Sequence, residues 1–101
     1  TETLEVTTSN QTAYTAPTGY TSIVLYAHVT NVTTSAATFT MTHVRSSTAT
    51  EIVKDVSVPP NDAYIPLEGK LVLETSDSIK IQASANSSLK LILSVLETAN
   101  A

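Results

Sequence analysis

His28 and His43 are the only imidazoles in this chain, and nine carboxylates and many hydroxyls accompany them. The two histidines could form a metal pair only if folding brings their strands side by side, as sequential strands commonly do. No Asp or Glu lies on either predicted strand to complete such a site, so both read as ordinary hydrogen-bonded or solvent-facing rings. A Ser-His-Asp triad would need a serine on a nucleophile elbow. No Gly-x-Ser-x-Gly segment supplies one. With Gly19 and Gly69 the only glycines, little loop backbone is free for an oxyanion hole. Glu51, Asp55, Asp62, Glu68, Glu74 and Asp77 fall mostly in or beside predicted turns, where caps and solubility account for them. Acid–base work would need two of them across a shared cleft. Glu74-Thr75-Ser76-Asp77 offers oxygen ligands to Ca²⁺ but matches no dedicated loop. The residues assign no catalytic, cofactor-binding or metal-ligating position, and the chain reads as no enzyme.

Composition excludes more. Net charge is −4, and Arg45, Lys54, Lys70, Lys80 and Lys90 are spread along the chain. Nucleic-acid binding needs clustered cations that displace counterions, so that partner is rejected. There is no cysteine, hence no disulfide, thiolate zinc site or thiol nucleophile. Its absence points to a reducing cytosol or to stability borrowed from oligomerisation. No apolar run, Leu91-Ile92-Leu93 included, approaches the length of a membrane-spanning helix. No basic-then-apolar leader opens the sequence, which fits a cytosolic start after loss of an initiator methionine, or a processed precursor. Three N-glycosylation sequons begin at Asn10, Asn31 and Asn86, and are expected by chance in so hydroxyl-rich a chain. Tyr14, Tyr20, Tyr26 and Tyr64 could build a sugar platform or a protein contact, but half-buried core positions with the hydroxyl at the rim are the simpler assignment.

What must position these groups is a set of short strands. Ala37 to Val44 shows the pattern best. Its period is two, so Phe39, Met41 and His43 face one way and Thr38, Thr40 and Thr42 the other. Threonine is β-branched and suits a strand, while its hydroxyl keeps the outer face wet. Strands are predicted over 12–15, 21–32, 38–44, 52–58, 63–67, 71–74, 78–83 and 89–97. Along 21–32, Ile23, Leu25, Ala27 and Val29 share one face, and Val24, Tyr26, His28 and Thr30 the other. Both faces are partly apolar, as in a strand covered on its back by a partner. Residues 1–11 are an N-terminal arm or an edge strand. Pro17 and Gly19, Pro59-Pro60-Asn61-Asp62, and Glu68-Gly69-Lys70 mark turns. About eight strands with turns every 8–12 residues predict one all-β domain over 1–101. It is a single antiparallel β-sandwich, jelly-roll-like, with essentially no helix.

Four segments carry a family likeness. They are Ala13 to Val24 (AYTAPTGYTSIV), Val56 to Asn61 (VSVPPN), Leu67 to Glu74 (LEGKLVLE) and Asp77 to Ser84 (DSIKIQAS). In this order and spacing they resemble small β-sandwich virion proteins of tailed bacteriophages, including marine and cyanobacterial phages. The likeness covers roughly residues 12–97. It implies a structural role in the virion without cofactor or catalysis, and carries over no site residue. Such domains serve as head decoration proteins, as neck or collar components and as tail-fibre parts.

Low charge matches that implication, because a hydroxyl surface relies little on charge repulsion and suits a chain held in an assembly. The resulting expectation is an outward-facing capsid decoration (cement) protein, assembled in the bacterial cytoplasm. It would be homo-oligomeric, with a trimer expected, and would touch several major capsid subunits at once. The arm at 1–11 and the strand at 21–32 are the expected contacts, and deleting 1–10 should weaken incorporation without unfolding the domain. Neck, collar or tail-fibre placement is the near alternative. A carbohydrate-binding receptor-recognition module and a small jelly-roll metalloenzyme are the rivals from other classes.

Overall fold

Period-two alternation decides the architecture. The computed structural model describes residues 2–66, 70–86 and 88–99, and over these the regular elements are all strands. In chain order they are β1 (Glu2–Val6), β2 (Gln11–Thr15), β3 (Tyr20–Asn31), β4 (Ala37–Arg45) and β5 (Thr48–Val58). There follow β6 (Ala63–Tyr64), β7 (Leu71–Leu73), β8 (Ser78–Ala83) and β9 (Leu89–Ala99). One sheet runs β1-β9-β3, with β6 and β7 both lying along the far edge of β3. The other runs β2-β8-β4-β5, and every pairing is antiparallel. The chain changes sheet at each step from β1 to β4, giving the interleaved two-sheet order of a jelly roll. The expected β-sandwich is therefore the fold. Nine strands replace eight because residues 2–6 form a strand of their own.

The two inner faces meet in one core. Phe39, Met41, Ile79 and Ile81 from the second sheet pack with Leu73, Leu89, Leu91 and Leu93 from the first, all buried. Burying side chains of this kind is worth about 1.5–3 kcal/mol each before entropy is charged against it. The alternation read from β4, β8 and β9 places the right residues inward.

Two strands depart from simple alternation. In β3 the register passes from Val24↔Val95 to Tyr26↔Ser94, so Leu25 has no partner across from it. This bulge exchanges the faces. Ser22, Val24, Ala27, Val29 and Asn31 are the buried set, whereas Ile23, Tyr26, His28 and Thr30 point outward. The expected grouping of Ile23 and Leu25 with Ala27 and Val29 is thereby corrected. In β5, Lys54 and Asp55 lie between Val53 and Val56, where β4 supplies only Thr40 between their partners Met41 and Phe39. Asp55 takes φ 49° and its N–H donates to Thr40 Oγ1 at 3.0 Å. The strand also begins at Thr48 rather than near Ile52. Thr48 to Glu51 lie exposed at a sheet edge, so no apolar residue announces them.

The N-terminal segment is an edge strand rather than an arm. β1 pairs along β9 from Glu2↔Leu93 to Val6↔Leu89, and Val6 is fully buried. Removing residues 1–10 would open the core. Turns fall where Pro and Gly placed them. Tyr20 N–H donates to Pro17 O with Gly19 at φ 84°, and Asp62 N–H to Pro59 O with Asn61 at φ 56°. Leu67, Glu68, Gly69 and Ser87 lie outside the described residues, and with them the end of the strand expected over 63–67 and most of the Glu68-Gly69-Lys70 turn.

Candidate functional site

The fold separates the two histidines. His28 lies on the outer face of the first sheet, where its ring stacks on Tyr26 (centroids 5.8 Å, 17° between planes) and its Nδ1 meets Thr30 Oγ1 at 3.0 Å. His43 lies on β4 in the second sheet. β3 and β4 lie in different sheets, so the two histidines are not neighbours. The metal pair is thereby ruled out, and no cluster of three or more His, Asp or Glu fit for a metal exists among the described residues.

Instead, His43 joins a cluster that the sequence did not reveal. Asp77 leads into β8, and its carboxylate is only 3% exposed. Arg45 Nη2 donates to Asp77 Oδ2 at 2.7 Å, and Nε reaches both oxygens at 3.0–3.1 Å. His43 Nε2 meets Oδ2 at 3.1 Å, and the Glu74 N–H donates to it at 3.0 Å. Arg45 also holds Glu74 Oε2 at 3.0 Å. The Arg45 guanidinium, aided by His43 and the Glu74 N–H, outweighs burial and lowers the Asp77 pKa to about 2. An open cleft of about 440 Å³ lies over the cluster, lined by Arg45, Ser46, Ser47, Glu74, Ser76 and Asp77 among others.

A His–Asp pair beside a cleft is the orienting half of a catalytic triad. Here Arg45 engages both Asp77 oxygens as well. The same contacts answer the calcium expectation, since Arg45 neutralises both Glu74 and Asp77. What the cluster does is hold backbone. Asp77 O accepts from Ala16 N at 2.8 Å, and Ser76 N donates to Ala16 O at 3.0 Å. The carboxylate thus ties the β7–β8 turn to the end of β4, and the backbone of Ser76 and Asp77 ties both to the β2–β3 turn. His43 and Arg45 share a face of β4 by the period of two, which is the one signal the sequence held.

The tyrosines divide as well. Tyr64 packs edge-on against Phe39. Tyr14 bridges the sheets, its hydroxyl sharing a hydrogen bond with Ser22 Oγ at 2.9 Å and donating to Glu97. Burial, and after it the Glu97 carboxylate, raise its pKa. Tyr20 and Tyr26 are exposed. The sequon at Asn31 is closed to modification in the folded chain, because that side chain is buried and fully hydrogen-bonded.

The outer faces of the two sheets differ in kind. On the first, Leu25, Tyr26, Val72, Ile92 and Leu96 are each 41–51% exposed. Register gathers them: Ile23 stands opposite both Val72 and Leu96, and His28 opposite Ile92. On the second, Thr12, Thr38, Thr40, Thr42, Ser57 and Ser78 alternate with the core residues. The first face thus carries an apolar group, flanked by Glu5 and Lys90, whereas the second is polar, its hydroxyls accompanied by Lys80 and Gln82.

No family model matches this chain, and no curated protein or solved structure shows significant similarity to it. The likeness to phage virion proteins therefore rests on the quoted segments alone.

Proposed function

We propose that the chain is a non-catalytic structural protein of a phage virion, most simply an outward-facing capsid decoration protein that acts by self-association and docking on capsid subunits. The observation that carries the reading is the contrast between outer faces. Scattered surface apolar residues need no explanation, but a register-aligned group on one sheet marks a contact surface. The hydroxylic face suits display to solvent. With residues 2–6 built into the sheet, the contact expected of an arm passes to the outer face of β3, β7 and β9. Neck, collar or tail-fibre placement uses the same surface with other subunits.

Mass spectrometry of virions purified from cells expressing this chain, scaled to the capsid subunit, tests the proposal. Hundreds of copies mean decoration, and about a dozen mean neck or tail. Virions without the chain overturn the reading.

One observation favours a second reading, a carbohydrate-binding receptor-recognition module. The Tyr26 ring is exposed and backed by His28, an arrangement on which a sugar ring could stack. Glycan-array binding that is lost in Tyr26→Ala would support it.

A further inference from the structure

Two turns face each other at the Asp77 end. One is the β4–β5 turn Ser46-Ser47, the other the β7–β8 turn Glu74-Thr75-Ser76-Asp77, and the cleft of about 440 Å³ lies between them. A second open cleft of about 460 Å³, lined by His43, Arg45, Ser46, Thr48 and Thr50, adjoins the first at Arg45 and Ser46. Both fall in the size range of small-molecule sites. Backbone strain is concentrated here. Of the five non-glycine residues with positive φ among the described residues, Ser46, Ser47 and Ser76 line the first cleft. Strain of this kind clusters at ligand clamps. As turn formers these serines gain nothing, since Gly or Asn would hold the same angles with less strain. What serine adds is a hydroxyl. All three residues are exposed, and among the described residues none of the three hydroxyls bonds within the fold.

The floor between the turns is fixed. Three hydrogen bonds to Asp77 and an ion pair with Glu74 hold the Arg45 guanidinium in place, half exposed. Glu74 is two-thirds exposed. A ligand therefore meets oriented donors on Arg45, an acceptor on Glu74 and serine hydroxyls that do either. Groups already held in position need little ordering when a ligand arrives.

Charge and lining select the ligand. A free anion would face Glu74 and Asp77, and a cation would face Arg45. Val44 is the one apolar side chain lining either cleft among the described residues, so the apolar anchors of a peptide find no pocket. A neutral molecule rich in hydroxyls suits every group present. We propose that the two adjoining clefts bind a neutral oligosaccharide, one sugar ring in each, with Arg45 and Ser46 shared between adjacent rings. The Asp77 fastening is then also the support that holds Arg45 ready. The inference goes beyond the virion reading, and it places the sugar at the end of the sandwich rather than on Tyr26, which lies on the outer face of the first sheet.

Binding of the 101-residue chain to an array of neutral and acidic oligosaccharides tests it, followed by calorimetric titration and amide NMR shifts with the best-bound neutral glycan. The expected result is binding of neutral glycans of two or more units, with shifts gathered at residues 43–48 and 74–77. Ser47→Gly with Ser76→Gly removes two hydroxyls and suits both positive-φ positions. It should weaken binding roughly tenfold, while the melting temperature holds or rises. Tyr26→Ala should leave the affinity unchanged. No neutral glycan bound at millimolar concentration, binding confined to acidic glycans, shifts gathered elsewhere, or an affinity unmoved in the double variant each overturns the inference. Binding lost in Tyr26→Ala and kept in the double variant moves the sugar to the first sheet and overturns it too. The virion reading fails separately. A chain abundant on virions that binds no sugar keeps that reading and loses this one, and a sugar-binding chain absent from virions does the reverse.

Discussion

Each end of the sandwich is closed by one buried polar side chain, yet only one end looks like an active site. At one end Asn31, 1% exposed, donates to Ser35 O (2.8 Å) and Val58 O (3.0 Å), and accepts from the Thr33 N–H (2.9 Å) and Thr33 Oγ1 (2.7 Å). Every hydrogen-bonding position of the amide is filled. At the other, the ionised Asp77 carboxylate gathers Arg45, His43 and the Glu74 N–H, and the backbone beside it holds the β2–β3 turn. Both side chains do the same mechanical work, joining loops from both sheets where strand ladders stop. The difference is charge. A carboxylate needs cations around it, and here an imidazole and a guanidinium stand beside it. Seen beside Asn31, the His43–Asp77 contact is a fastening with a charge in it.

The comparison breaks most readily at the neutral end. Asn31→Ala removes four hydrogen bonds and leaves two carbonyls and an N–H short of partners. The expected loss is about 3–4 kcal/mol, read by urea denaturation at neutral pH. Asp77→Asn follows at roughly 2–3 kcal/mol. It is the smaller of the two because Arg45 is half exposed and water can replace part of what it loses. A reversed order would mean that the ionic end carries the fold and that the two ends are not equivalent fastenings.

Acid separates them further. The Asp77 pKa is lowered to about 2 in the folded chain, below the ~4 of an unfolded aspartate. Its contribution is therefore complete above about pH 4 and is lost as pH falls toward 2. The stability gap between wild type and Asp77→Asn should close over that window, whereas the gap to Asn31→Ala should not track Asp77. Thermal melts at stepped pH read both. A wild type–Asp77→Asn gap that stays constant down to pH 2 would remove the ion pair from the account.

Much of this molecule was legible before its coordinates. The alternation of Phe39, Met41, Ile79, Ile81, Leu89, Leu91 and Leu93 sufficed for the core, because a strand has only two faces and one must be dry. Bulges were not legible. Leu25 and Asp55 shift register without any Gly or Pro to announce it. Asn31 was hidden inside a glycosylation motif, and Asp77 among turn acids, because what distinguishes each is its burial. The separation of His28 from His43 follows from jelly-roll interleaving, which reverses the expectation that neighbours in sequence are neighbours in a sheet.

The smallest effect tests the strain at the Asp77 end. Ser46 and Ser47 form the two-residue turn between β4 and β5, with φ of 50° and 69°. Positive φ at both places is the geometry that Asn-Gly suits and serine resists. The same end holds Ser76 at φ 69°, while the Asn31 end uses Asn61 at φ 56°, a residue that tolerates this region. One end is therefore relaxed by residue choice and the other is not. Ser46→Asn with Ser47→Gly should stabilise by about 1 kcal/mol, raising the melting temperature by roughly 4–8 °C for a domain of this size. The turn lines the cleft over Arg45 and Asp77, and strain beside a cleft is the usual mark of a site that trades stability for function. A double variant that is more stable and still enters virions at the wild-type level would show the strain to be incidental. One that is more stable but excluded from particles would show that this turn, rather than the apolar face of the other sheet, meets the partner.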